Sequence, residues 1–260
     1  MTIDIDPILG RIGPFTLGWE GIFIGVALLA SLLVAARDTR LARLDPELVY
    51  GAAVWVIPFG FIGGRVFHVM DAWNYYAVHP LDIISVGRGG SAIYGAIIFG
   101  SAVALAFAVK RHVAVGRFFD ACTPGLTLGL AIGRIGGLLT GAELGRPASL
   151  PISIRYTNPS SFATSALAVY PAAAFDLIWA LALYLLLVRL RRSRLPDGSI
   201  YWTFSTVYAV GQVWIGFFRV EPADAFGFGQ TQLIGVLVLT VSVIILAALV
   251  ARTFRPKSPS

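Results

Sequence analysis

Arg65, Arg134 and Arg219 lie in or at the ends of long apolar runs, in FIGGRVFHVM, GLAIGRIGGLLTGAELGRP and GFFRVEP. A guanidinium inside a bilayer costs at least a few kcal/mol on insertion scales, so each needs a carboxylate, backbone carbonyls or an anionic ligand. A planar fork of donors suits a phosphate, the anion that membranes supply. Arg134 has the clearest setting. Gly137 and Gly141 share its side of a helix, with Gly133 just before it, so the guanidinium is expected to face a groove free of side chains. Glu143, Gly145, Arg146 and Pro147 follow directly. The three arginines are expected to converge near one membrane boundary. The plainer alternative is structural ion pairing with the few local acids, Glu20, Glu143, Asp176, Glu221 and Asp224. Arg65 or Arg219 would then pair with Glu221 or Asp176.

The elements that hold these residues follow from composition. The chain has 260 residues, of which 57% are hydrophobic and 13% charged; soluble domains carry roughly 25% charge. With a mean hydropathy of +0.79, it reads as an all-α integral membrane protein. Helices of roughly 20 apolar residues cross a bilayer. Seven such runs fall near 17–36, 48–69, 91–109, 118–140, 170–188, 200–218 and 231–251. The basic residues mark one side: Arg37, Arg40 and Arg43; Lys110, Arg111 and Arg117; Arg189, Arg191, Arg192 and Arg194; Arg252, Arg255 and Lys257. By the positive-inside rule that side is cytoplasmic, with the N-terminus outside and the C-terminus inside. The outward segments DAWNYYAVHP, ELGRPASLPISIRYTNPSS and RVEPADAFGFGQ are rich in aromatic, Pro and Gly residues. They read as interfacial arms, with a small outward insertion at 141–169 too short for a core of its own. Residues 1–252 form one membrane domain and 253–260 a cytoplasmic tail.

Other chemistries find little support. The basic charges are spread over short loops, so nucleic acid is not an expected partner. The single cysteine, Cys122, lies in an apolar run and reads as a buried small hydrophobe. The acidic, Pro- and Gly-broken start MTIDIDPILGRIGPF does not read as a cleavable signal peptide, and none is expected. There is no nucleotide loop, metal cluster or soluble catalytic triad. Glycines at 125, 129, 133, 137, 141 and 145 recur every four residues, the spacing of close helix packing.

GPFTLGWEG, FIGGRVFHVM with YYAVHPLDIISVGRGG, SAIYGAIIFG, GRIGGLLTGAELGRP, YPAAAFD and GQVWIGFFRVEPAD follow one another along the chain. In order and spacing they resemble, from end to end, the successive motifs of the phosphatidylglycerol–prolipoprotein diacylglyceryl transferase family. Arg65, Arg134, Gly145, Arg146 and Arg219 match. Glu20 stands in place of a tyrosine, Tyr94 of a histidine, Gly137 of an asparagine, and Gln212 and Gly216 of an Arg and a Glu. Glu143 is offset by one from the signature glutamate.

The resemblance implies transfer of the diacylglyceryl group of phosphatidylglycerol to the lipobox cysteine thiol of a prolipoprotein signal peptide, with release of glycerol phosphate and without any cofactor. The enzyme would work in the bacterial cytoplasmic membrane. Substrate binding is then expected at Arg134, Arg65, Gly137, Gly141, Gly145, Arg146, Gln212 and Arg219. Glu20, Tyr94 or Glu143 would take the thiol proton. Two alternatives are a paralogue that binds phospholipid or modifies another acceptor, and a transporter. Against the latter, the sequence has no inverted repeat and no chain of membrane carboxylates.

Overall fold

Among the described residues, seven long helices and a set of short connecting segments make up the computed structural model. It describes all residues except 14, 85–92, 164–166, 194, 221–222, 226 and 254–260; the side chains of 11, 12, 15, 71, 84, 93, 94, 223–225, 252 and 253 are also outside the description. Strands β1 (Thr2–Ile3), β2 (Ile8–Ile12) and β3 (Phe15–Gly18) precede helix α1 (Trp19–Leu41). Helix α2 (Glu47–Asp71) leads into the short α3 (Trp73–Tyr76) and a 3-10 turn, Pro80–Ile84. Then come α4 (Ile93–Lys110), α5 (Val115–Thr140), β4 (Arg155–Tyr156), α6 (Ala172–Leu190) and α7 (Ser199–Gly216). Strands β5 (Ala223–Ala225) and β6 (Phe228–Gly229) precede α8 (Gln230–Thr253).

The seven expected runs coincide with α1, α2 and α4 to α8. Five of these, α1, α2, α5, α6 and α8, are long and apolar enough to cross a membrane. The described apolar stretch of α4 is shorter, Gly95–Lys110, and α7 carries Ser199, Thr203, Ser205, Thr206 and Gln212 along its length. Large apolar side chains point outward from the apolar helices, Leu237 at 65% and Ile244 at 64% exposure among them. Helices in lipid gain little from burying such residues against one another, so close backbone approach does the packing instead.

Helix α5 is the centre of the bundle, touching α1, α6 and α7. It runs antiparallel to α1. A Cβ at Gly125 would fall against the backbone of Ser31 and Ala35, and one at Gly129 against Ser31 and Ala27. The four-residue glycine spacing serves close helix packing over this part of the stripe. Gly133 opens onto free space, with no atom within 4 Å of its would-be Cβ, while off-stripe Gly136 meets Glu20 Cα at 3.0 Å. Helices α2 and α4 cross with Gly63 and Gly95 backbone to backbone. Trp179 of α6 packs on Gly211 of α7 and donates from Nε1 to the Val207 carbonyl at 3.1 Å.

The bundle has two dissimilar ends. One gathers the C-termini of α1 and α6 and the N-termini of α5 and α7. Buried Asp38 pairs with Arg191 there. Asp120 accepts from the backbone N–H of Gly198 (2.7 Å) and Tyr201 (2.9 Å), which satisfies the first turn of α7 from another helix. The other end carries the segments expected to face outward. Ile3, Ile154, Tyr156, Ala163 and Val169 form a small cluster there, joined by Ile5, Leu138 and Leu144. Residues 141–169 thus share their core with the N-terminal strand and the end of α5. Strand β1 pairs in parallel with β4, and Tyr156 Oη donates to the Leu138 carbonyl at 2.8 Å.

Candidate active site

Helix α5 ends at Gly141, whose φ of 73° is the left-handed cap that glycine accepts at little cost. The chain turns back there, and Glu143 folds over the last turn of α5. A Cβ at Gly137 would sit 3.6 Å from Glu143 Cγ and 3.7 Å from its carboxylate. The Glu143 side chain therefore lies on the glycine face of α5, beside Arg134.

Two guanidiniums and two carboxylates meet at this point. Arg134 pairs with Glu143 through Nη1, and its Nε is 3.5 Å from Asp176 Oδ2. Arg219 pairs closely with Asp176, and its Nη2 is 3.4 Å from Glu143 Oε2. Gln212 Nε2 donates to Asp176 Oδ1 at 2.8 Å. Among the described residues the four formal charges sum to zero, which makes their burial tolerable. The two acids differ in access: the Asp176 side chain is 3% exposed and that of Glu143 24%. Arg134 and Arg219 lie between, at 14% and 13%.

A backbone clip brings these residues together from four parts of the chain. Gly145 and Arg219 form an antiparallel bridge. Arg146 N–H donates to the Phe218 carbonyl at 2.8 Å and Val220 N–H to the Leu144 carbonyl at 3.0 Å. Arg146 Nε donates to the Arg219 carbonyl at 3.0 Å, and Tyr170 N–H donates to the Arg146 carbonyl at 3.0 Å. Tyr170 then enters α6 two residues before its first turn, so the same junction fixes Asp176. Gly145 is needed because a Cβ there would strike the Tyr170 backbone, 2.8 Å from its carbonyl carbon. Aromatic rings wall the junction on one side: Phe218 lies 5.1 Å from Tyr170, 5.3 Å from Trp214 and 5.5 Å from Phe175, centroid to centroid.

The expected site residues divide accordingly. Arg134, Glu143, Gln212 and Arg219 meet, with Gly137 beneath them and Gly141 and Gly145 shaping the turn. Arg134 does not face a groove free of side chains; Glu143 and Asp176 already engage it, because the chain reversal at Gly141 returns an acid to that face. Arg65 makes separate contacts. Its Nε donates to the Ile83 carbonyl (2.9 Å) and its Nη2 to the Asp82 carbonyl (2.6 Å), and its guanidinium stands 5.4 Å over the Tyr76 ring. Those contacts tie the outer turn to α2. Arg134 and Arg219 thus share the same two carboxylates, whereas the described bonds of Arg65 go to the 3-10 turn. Arg146 is exposed, and its described bonds go to backbone. Glu20 opens α1 exposed to the surroundings and, among the described residues, in no ion pair. Tyr94 lies in the first turn of α4, and its side chain, like Glu221, lies outside the described residues.

Asp176 stands at the centre of the cluster, where sequence reasoning names it only as one of several candidate counter-ions. The signal was present in YPAAAFD, where it falls on a family motif. Among the described residues no group of three His, Cys, Asp or Glu side chains is arranged to hold a metal ion.

Known proteins are similar over nearly the whole length. The family model described as prolipoprotein diacylglyceryl transferase matches residues 7–248. A phosphatidylglycerol–prolipoprotein diacylglyceryl transferase of Dehalococcoides mccartyi is 34% identical over 242 residues, covering 93% of this chain and 92% of the relative. Its namesake in Trichormus variabilis is 31% identical over 90% of this chain and 85% of its own. That of Frankia alni is 33% identical over 82% of this chain and 58% of its own.

Proposed function

The chain belongs to the prolipoprotein diacylglyceryl transferase family, and we propose that it works through the four-charge cluster of Arg134, Glu143, Asp176 and Arg219. It is a diacylglyceryl transferase of the bacterial inner membrane, which it crosses several times, and it moves the diacylglyceryl group of phosphatidylglycerol to a prolipoprotein. The acceptor atom in this reading is the lipobox cysteine Sγ. Its bond to the glycerol carbon forms as the carbon–oxygen bond to phosphate breaks, and the bonding pair leaves with the phosphate oxygen. Glycerol phosphate departs with one more negative charge than the diester carried. Preorganised cations at that oxygen stabilise charge as it develops.

The observation that carries this reading is the meeting of two guanidiniums at one end of the apolar bundle. Arg134 and Arg219 hold the phosphate. Gln212 keeps Asp176 oriented, Gly137 seats Glu143 beside Arg134, Gly141 and Gly145 let the turn and the clip close around the cluster, and Arg146 secures the clip. Arg65 contributes by holding the outer turn. The thiol proton goes to one of Glu20, Tyr94 and Glu143. The cluster lies at the end of the bundle away from the arginine-rich loops, which supports an outer-leaflet site, an outside N-terminus and a cytoplasmic C-terminus.

The test is complementation. In cells depleted of their own transferase, this chain restores growth and lipoprotein modification, and Arg134→Ala abolishes the rescue. Growth without lipoprotein modification, or rescue that survives Arg134→Ala, overturns the reading.

A further inference from the structure

We propose that Glu143 is a displaceable counter-ion that becomes the proton acceptor for the thiol only when donor phosphate takes its place. The inference rests on the assignment of Arg134 and Arg219 to the phosphate. Three observations carry it. Glu143 touches both guanidiniums, Arg134 closely and Arg219 at 3.4 Å. It is the accessible acid of the pair, 24% exposed against 3% for Asp176, which Gln212 and Arg219 also hold. It also has somewhere to go, because its carboxylate lies over Gly137 and the adjoining turn at Gly133 borders open space.

An arriving phosphate competes with Glu143 for the same donors, since both are anions that guanidinium forks bind. Asp176 stays, and the better-exposed carboxylate yields. Among the described residues the charged groups on Glu143 are Arg134 from α5 and Arg219 after α7; Asp176 from α6 shares both arginines, and neutral Gln212 holds Asp176. Bound to two cations, a carboxylate is a poor base; parted from them, beside phosphate and Asp176, it holds a proton more readily. Donor binding thus creates the base. The thiol proton passes to the Glu143 carboxylate, the Sγ electron pair forms the carbon–sulfur bond, and the carbon–oxygen pair leaves on glycerol phosphate. The proton then passes from Glu143 to the departing dianion or to water, and the carboxylate returns to the arginines and helps eject the product.

The test uses the purified full-length chain in phosphatidylcholine vesicles containing graded fractions of phosphatidylglycerol, with a lipobox peptide as acceptor. Glu143→Gln removes the competitor and the base together. KM for phosphatidylglycerol falls about tenfold, equivalent to ~1.4 kcal/mol, while kcat at neutral pH falls roughly a hundredfold, the lower range for a lost general base. The kcat deficit shrinks as pH rises toward about 8.5, where a thiol ionises unaided. Glu143→Asp keeps a base on a shorter arm: KM falls less and kcat is largely kept, which carries the test should the Gln variant fail to fold. An unchanged or raised KM in both variants, or a kcat deficit independent of pH, overturns the proposal. Arg134→Ala separates it from the reading beneath it. Full activity there refutes the phosphate seat itself, whereas loss there with a wild-type Glu143→Gln refutes only the role of Glu143.

Discussion

Asp176→Asn isolates what holds the cluster together. The replacement keeps the shape of the side chain and its contact with Gln212, but removes one of two negative charges shared by two guanidiniums. Arg219 contacts this carboxylate closely and Arg134 Nε stands 3.5 Å away. At about 4 Å and an effective dielectric near 20, each such pair is worth ~4 kcal/mol before desolvation is counted. At 3% exposure Asp176 is screened little. Removing one partner of a buried pair costs about 3–5 kcal/mol, because a charge is left inside without compensation. We expect a stability loss in that range. Adding Arg219→Gln restores neutrality and recovers at least about half of it, so the double-mutant cycle gives a large coupling energy. The assay is reversible unfolding in mixed micelles, followed by tryptophan fluorescence, for wild type, both single variants and the double variant. A loss under about 1 kcal/mol for Asp176→Asn, or strict additivity in the double variant, refutes the description of the four groups as one neutral buried unit.

Arg191→Ala leaves buried Asp38 without its cation, so it destabilises by about 3 kcal/mol or more; Asp38→Asn added to it restores most of the loss in the same unfolding assay. Burial pushes the Tyr156 hydroxyl up to about 12, above the ordinary value near 10. The folded chain therefore keeps that proton longer than the unfolded one, and stability falls as pH rises from about 10 to about 12. Tyr156→Phe flattens this slope, and removal of the bond to Leu138 costs about 1 kcal/mol at neutral pH. Arg65→Ala frees the Asp82 and Ile83 carbonyls. Amide exchange then speeds up over residues 73–84 and stays as it was in α6, a contrast that hydrogen-exchange mass spectrometry reads directly.

Much of the architecture was legible because membrane helices announce themselves by length and hydropathy: all seven expected runs are helices. The site was legible in part. Arg134 declared that it needed a partner, since a guanidinium in an apolar run must be compensated. Which partner was hidden, because Asp176 reaches it from another helix, and the rotation that aligns the two depends on packing between segments. The near partner was hidden for another reason. Only the left-handed turn at Gly141 swings Glu143 back over Gly137, and helical periodicity carries no information beyond a helix end. The glycine stripe misled for a related cause: spacing of four marks small faces but does not say which are filled. Gly125 and Gly129 pack on α1, while Gly133 stays open. Arg65 was grouped with the others on sequence context alone, yet backbone carbonyls of a short outer turn satisfy it, and such acceptors exist at every residue and leave no mark in a sequence.

The most direct measurement is transfer itself, in vesicles holding phosphatidylglycerol and a lipobox peptide, with thioether and released glycerol phosphate counted together. Wild-type chain yields them one for one, and both Arg134→Ala and Arg219→Ala lower kcat/KM by at least about a hundredfold while remaining folded. Equal turnover in either folded variant, or thioether formed without glycerol phosphate, contradicts a phosphate held between these two arginines.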